Sequence, residues 1–76
     1  MNIRYTLEDK PDFFDGEFVD VDMSEFGLPP EILTGKIVGK ASTNIIDNWL
    51  IEFPRSFPPT YPYHVVSTPH TFILKK

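Results

Sequence analysis

The sequence predicts a single, mostly β domain over residues 1–76, in the form of a small barrel of about five strands with at most a one-turn helix. The chain has the length of one domain, and its 41% hydrophobic and 14% aromatic residues suffice for one compact core. Short segments in which apolar and polar residues alternate recur along it, as expected for half-buried strands. Eight prolines and four glycines punctuate the stretches between them.

The predicted strands follow the alternation of side chains. In one of them Val19 and Val21 share a face, and in another Trp49 and Ile51 do so. Gly35 and Gly39 fall inside a third strand, where glycine indicates a bulge, a bend or a close approach of another chain segment. The predicted strands cover residues 2–7, 18–23, 34–42, 49–53, 64–67 and 72–74.

The segments between these strands are predicted to be loops and turns. An acidic loop spans residues 8–16, with Phe13 and Phe14 as its anchors. Pro29 and Pro30 exclude a long helix in this region, but a single helical turn is allowed at residues 30–33. Four prolines make residues 54–62 a stiff and mostly extended loop. A turn or one-turn helix is expected at residues 68–71.

The second half of the chain resembles SH3-like and Tudor-like small barrels. The matching residues are Gly35-Lys-Ile-Val-Gly39, Trp49-Leu-Ile-Glu-Phe53, and Val65-Val66 followed by Pro69-His-Thr-Phe-Ile73. This resemblance implies an SH3-like barrel in which a short helical turn separates the last two strands. The Ala-Leu-Tyr-like strand and the Trp-Trp pair of peptide-binding SH3 domains are missing, so binding of proline-rich ligands is not carried over. The nearest rival fold is a five-stranded barrel of the OB type.

The chain is also similar to short uncharacterised proteins of tailed bacteriophages that end in a Pro-His-Thr-Phe-like segment, here residues 69–72. Both resemblances cover about half of the chain. The second one implies a phage-encoded protein that docks on a host protein and alters its activity.

Charge is distributed unevenly along the chain. Residues 1–31 contain nine acids and two bases, a balance of −7, whereas residues 32–76 contain two acids and five bases, a balance of +3, which together make the −4 of the whole chain. An acidic half disfavours nucleic acid and suits a basic surface on a protein partner. The predicted partner-binding acids are Asp15, Glu17, Asp20 and Asp22. The alternative is that these acids only keep a small domain soluble.

A second candidate surface is the segment of residues 57–63, which combines aromatic and proline residues. Phe57, Tyr61 and Tyr63 stand there on a backbone that proline holds extended, so docking would order little of it. The alternative is that these rings fold over the open end of the barrel and complete a small core.

The sequence predicts no catalytic residues, no metal site and no cofactor. Cysteine is absent, which removes disulfides and thiolate ligands. No regular element sets the spacing of His64 and His70, so both are expected at the surface or half-buried. Ser67 and His70 lack an orienting acid and an oxyanion hole. No apolar run approaches the roughly 20 residues that span a bilayer. The cytoplasm is the expected compartment, and it is the host's cytoplasm if the protein is phage-encoded.

These observations favour a non-enzymatic binding protein that docks on another protein. One alternative is a self-assembling protein that pairs through a strand edge, at residues 18–23 or 72–74. The other alternative is a single-stranded nucleic-acid binder that stacks bases on Trp49, Tyr61 and Tyr63.

Overall fold

A computed structural model describes residues 3–27, 31–42, 46–56 and 64–75 of the chain. The helical residues within these ranges are confined to two 3-10 turns, Met23–Phe26 and His70–Phe72. The prediction of a mostly β fold with at most single helical turns is therefore confirmed. The strands are β1 (Phe18–Asp22), β2 (Ile32–Ser42), β3 (Asp47–Glu52) and β4 (Val65–Pro69).

The four strands form one open antiparallel sheet in the order β1-β2-β3-β4. In its middle, Ile37 on β2 pairs with Ile51 on β3, and Ile51 pairs with Val66 on β4. The β2–β3 register shifts between Ile37 and Gly39, which is the irregularity that glycine in this strand predicts. The SH3-like form of the fold stays a prediction.

The segment after β4 returns to β1 at the opposite edge of the sheet. Ile73 makes an isolated bridge with Val21, and the Leu74 amide donates to the Asp20 carbonyl over 2.9 Å. On its other side this return contacts the beginning of the described chain, since Arg4 and Leu74 form a second bridge. The two edges proposed for self-assembly, residues 18–23 and 72–74, thus bond to each other at Asp20, Val21, Ile73 and Leu74.

One face of the sheet carries the core. Val19 and Val21 on β1 are 2% and 0% exposed, as the alternation predicts, whereas Phe18 on the opposite face of the strand is 60% exposed. The alternation in β3 is confirmed in the same way. The buried hydrophobic residues are Val19, Val21, Met23, Ile37, Trp49, Ile51, Phe53, Val66, Ile73 and Leu74.

Several predicted elements differ from the structure. The strand predicted at residues 72–74 is reduced to isolated bridges of Ile73 and Leu74, because Phe72 belongs to the second 3-10 turn. Residues 2–7 are not a strand within the described part of the chain, because after the bridge at Arg4 the chain turns. Asp9 accepts hydrogen bonds from the Thr6 amide at 2.7 Å and from the Thr6 hydroxyl at 3.1 Å, and this local turn competes with pairing. As a result Ile3 and Leu7 are 52% and 54% exposed.

The helical turn that the sequence allows at residues 30–33 does not form at Ile32 and Leu33, which belong to β2, and Pro30 lies outside the described residues. Ile32 and Leu33 pair with Asp22 and Val21 of β1, and pairing of β1 with β2 outweighs the local preference of a proline-led turn. The 3-10 turn forms earlier, at Met23–Phe26. The Asp22 carboxylate caps its start, and Gly27, with φ of 76°, closes its end.

The burial of His70 also differs from the prediction. Its side chain is fully buried rather than half-buried or at the surface. Its Nε2 lies 2.8 Å from the Thr6 carbonyl oxygen, which can only accept, so Nε2 carries the hydrogen. This bond attaches the first described segment to the second 3-10 turn. His64 is exposed, as predicted.

Candidate functional site

The charges of the described residues are largely paired outside one acidic segment, which we define as residues 8–22. Five ion pairs join cations to acids: Arg4–Glu25, Lys36–Glu52, Lys40–Asp47, Arg55–Glu31 and Lys75–Asp9. Within the described ranges no cation pairs with Glu8, Asp12, Asp15 or Asp20, all of which are exposed. The unbalanced negative charge is therefore concentrated in the acidic segment.

A tight turn at residues 14–17 precedes β1 in this segment. The Glu17 amide donates to the Phe14 carbonyl over 3.0 Å, and the Glu17 carboxylate accepts from the Phe14 amide over 3.3 Å. Gly16 has a φ of 93°, which favours glycine over other residues. We call residues 14–17 the anchored turn, because two backbone hydrogen bonds fasten it to Ile37 of β2, at 2.7 and 2.8 Å.

The two neighbouring phenylalanines before the turn have opposite environments. The Phe13 ring packs edge-on between Tyr5 and Trp49, with centroid distances of 5.9 and 5.0 Å. The Phe14 ring is 70% exposed. Of the two predicted loop anchors, only Phe13 acts as one, and Phe14 is displayed to solvent beside Asp15. An aromatic pair next to a glycine was the available signal for this turn, but it does not tell which ring is buried.

A groove of about 360 Å³ opens beside the anchored turn. Tyr5 and Phe13 are its aromatic residues, and the buried Val19 and Leu74 supply apolar surface. Three charged side chains also line it, those of Asp9, Glu17 and Lys75. We call it the aromatic groove. Sequence reasoning missed it because its members come from the two ends of the chain.

Asp20 and Asp22 lie on β1 rather than in the anchored turn. Asp20 accepts a hydrogen bond from the Thr34 hydroxyl of the neighbouring strand at 2.6 Å. Asp22 accepts from the Ser24 hydroxyl at 2.6 Å and from the Ser24 amide at 3.1 Å, and these bonds lower the pKa of its carboxyl below the ordinary value of 3.8. Asp22 therefore has a structural task in addition to any role in binding.

The structure brings the predicted binding acids together only in part. Asp15 and Glu17 share the anchored turn, and Glu17 also lines the aromatic groove. Asp20 stands on β1 on the same side as the exposed Phe18, which lines a different depression with Thr34 and Lys36. The predicted acids are thus divided between the anchored turn and β1. Phe57, Tyr61 and Tyr63 lie outside the described residues.

The remaining candidates for chemistry are placed as follows. Trp49 is 2% exposed, so it offers no surface on which a base could stack. Ser67 is exposed on β4, whereas the His70 ring is buried against Thr6. Among the described residues no three His, Cys, Asp or Glu side chains gather in a way that could hold a metal ion. None of the helices described is long and apolar enough to cross a membrane.

Comparison with known proteins yields no match to a family model, to a curated protein or to a solved structure.

Proposed function

We propose that this chain is a non-enzymatic binding protein that docks on a basic surface of another protein. The observation that supports the proposal best is Phe14, which is 70% exposed on a turn fastened to the sheet. Next to it stands Asp15, and Asp12 lies two residues before it, neither with a cationic partner among the described residues. An aromatic anchor within complementary charge is the usual composition of an interface hot spot.

The anchored turn favours this role for an energetic reason. Its backbone is held by hydrogen bonds to Ile37 before any partner arrives, so docking orders little additional chain. The surrounding acids attract a basic surface over a distance of about 8 Å at physiological salt, which chiefly raises the association rate. We therefore expect binding to weaken as salt concentration increases.

The setting of the interaction follows from the sequence resemblance to short phage proteins. In this proposal the partner is a host protein of the cytoplasm, and docking alters its activity. Asp15 and Glu17 of the anchored turn are the acids that would face the basic surface beside Phe14, whereas Asp20 and Asp22 on β1 would attract it from outside the contact. Nucleic acid is a less suitable partner, because the acidic segment repels phosphates.

Capture from a nuclease-treated host lysate tests the proposal with a matched pair of variants. Phe14→Ala and Phe18→Ala make the same chemical change at two exposed rings, 70% and 60% exposed, on different parts of the surface. We expect Phe14→Ala to reduce retention of the basic partner at least tenfold, the effect typical of an interface hot spot, whereas Phe18→Ala retains it. Asp15→Lys should also weaken capture, and its effect should be larger at low salt than at high salt, because salt screens the attraction between charges.

Equal capture by the Phe14→Ala and wild-type proteins would contradict the proposed site. Loss of every partner after nuclease treatment would instead favour nucleic-acid binding. If only the chain itself is recovered, its mass in solution at several concentrations decides whether it self-assembles. Asp22 is unsuitable for charge reversal, because its carboxylate also caps the 3-10 turn.

A further inference from the structure

The aromatic groove already contains one ammonium group, that of Lys75. Its Nζ lies 3.3 Å from the Asp9 carboxylate and 5.7 Å from the centroid of the Tyr5 ring. This combination of a carboxylate and an aromatic face is a favourable environment for a cation. The groove therefore demonstrates, within the chain, the kind of side chain that fits it.

Lys75 is placed so that its side chain can leave the groove without disturbing the fold. Its backbone amide donates to the Ile3 carbonyl over 2.7 Å, which holds the main chain in place. The side chain itself is 42% exposed. Exchange of this ammonium for another one thus requires only a rotamer change at one residue.

The carboxylates of the groove are held in position before a ligand binds. Asp9 accepts hydrogen bonds from the amide and the hydroxyl of Thr6, and these bonds, with Lys75, keep the pKa of its carboxyl below the ordinary value. Glu17 is held by its hydrogen bond from the Phe14 amide. Glu17 lines the same groove as the ion pair of Asp9 and Lys75, so the lining contains a second carboxylate.

The groove also offers apolar surface to the stem of a long side chain. The half-buried rings of Tyr5 and Phe13 supply this surface, since Val19 and Leu74, which also line the groove, are only 2% and 7% exposed. Its volume of about 360 Å³ lies at the lower end of the range of ligand pockets. Lysine combines an aliphatic stem with a compact charged end. It therefore matches a groove that has both apolar surface and carboxylates.

We propose that the aromatic groove binds a lysine side chain of the partner protein, with the ammonium between Asp9, Glu17 and the Tyr5 ring, and that Lys75 is its internal competitor. This inference rests on the proposed function and adds the chemistry that the partner must present. The Lys75 side chain moves aside when the partner's lysine enters. Phe14 and the aromatic groove would then contact the same partner, since the anchored turn contributes Phe14 to one and Glu17 to the other.

The probe for this proposal is the capped tripeptide acetyl-Gly-Lys-Gly-amide, titrated into the isotopically labelled protein and followed by amide chemical shifts. Its control replaces lysine by norleucine, which keeps the stem and lacks the charge. Lys75→Met should raise the affinity for the lysine peptide about twofold to fivefold, because the internal competitor is gone. Lys36→Met makes the same change in net charge at a lysine that is equally exposed, also forms an ion pair and lines a different depression, so it should leave the affinity nearly unchanged.

A second pair of variants tests the carboxylate. Glu17→Gln removes one negative charge from the groove and retains an oxygen that can accept from the Phe14 amide. We expect it to weaken binding of the lysine peptide about twofold to fivefold, whereas Asp12→Asn, an exposed acid outside the groove, has little effect. The unperturbed amide spectrum of each variant verifies its fold, and Glu17→Gln decides the question if Lys75→Met does not fold.

Several results would overturn the inference. These are the absence of shifts at groove residues, equal binding of the norleucine peptide, or equal effects of the two lysine variants or of the two acid variants. Its failure is distinguishable from failure of the proposed function. If the groove takes no lysine but Phe14→Ala still abolishes capture, only the groove is lost. If the peptide binds and no protein is captured through Phe14, the docking proposal fails and the groove remains.

Discussion

At the scale of single residues, Gly35 carries the tightest packing requirement in the sheet. A methyl group at this position would overlap the Ile51 side chain and would lie 3.0 Å from the Phe53 ring. Ile51 is fully buried and Phe53 is 2% exposed, so neither has room to move away. The glycine that the sequence predicts to permit a close approach therefore does so by letting β3 side chains pack directly on the β2 backbone.

We expect Gly35→Ala to lower the free energy of unfolding by about 1–3 kcal/mol, the usual cost of overpacking a core. Gly39→Ala is the matched control, because the nearest atom to its new methyl group is Leu50 Cδ1 at 3.3 Å, at the end of a half-buried and flexible side chain. It should cost less than about 1 kcal/mol. Urea unfolding of both variants measures the difference, and equal losses would show that Gly35 has no special packing role.

At the scale of elements, the first 3-10 turn depends on Asp22. Its carboxylate accepts from both the amide and the hydroxyl of Ser24, which satisfies the backbone donor that the start of a helical turn leaves unpaired. Asp22→Ala should therefore cost about 1 kcal/mol of stability. Asp22→Asn retains an oxygen that can cap and should cost much less.

The same carboxylate gives the turn a pH dependence. Because the pKa of Asp22 is lower in the folded chain than its ordinary value of 3.8, its contribution to stability is present above that value and is lost as pH falls through the folded pKa. Asp22→Asn should thus lose less melting temperature than the wild type when the pH is lowered from about 5 to about 2. Asp9, whose pKa is lowered as well, titrates in both proteins and cancels in the comparison. Identical acid sensitivity of the two proteins would contradict this assignment.

At the scale of the whole molecule, the two ends of the described chain are joined through the core. Residues 73–75 bond to β1 on one side and to Ile3 and Tyr5 on the other, and His70 bonds to Thr6. Trp49 packs on Phe13 from the acidic segment. Opening of the sheet edge at β1 would therefore also disrupt the contacts that join residues 70–75 to residues 3–6.

We expect the domain to unfold in one cooperative transition, with a urea dependence of about 1 kcal/mol per M, as is usual for a domain of this size. Trp49 fluorescence reports on the contact with Phe13, and far-ultraviolet circular dichroism reports on the sheet. The two transitions should coincide at a single midpoint. A fluorescence change at a lower urea concentration would mean that the first segment detaches before the sheet unfolds.

The elements that the sequence predicts correctly are those in which side-chain alternation and burial agree. Val19 and Val21, and Trp49 and Ile51, point into the core because a strand with one buried face needs an apolar residue at every second position. The prediction fails where a local side-chain hydrogen bond or pairing with a neighbouring strand determines the backbone conformation. The Thr6–Asp9 turn ends the pairing after Arg4, and β1 draws Ile32 and Leu33 into β2.

The sequence by itself determined the class of fold, the uneven distribution of charge, the absence of cysteine chemistry and the two faces of β1 and β3. Only the tertiary structure decided that Phe13 is buried and Phe14 exposed, because adjacent residues of a loop have no periodicity that distinguishes them. It also brought Lys75 to Asp9 and Tyr5, from the opposite end of the chain. Local patterns cannot reveal such a groove, since its contacts depend on which segments the closed core places side by side.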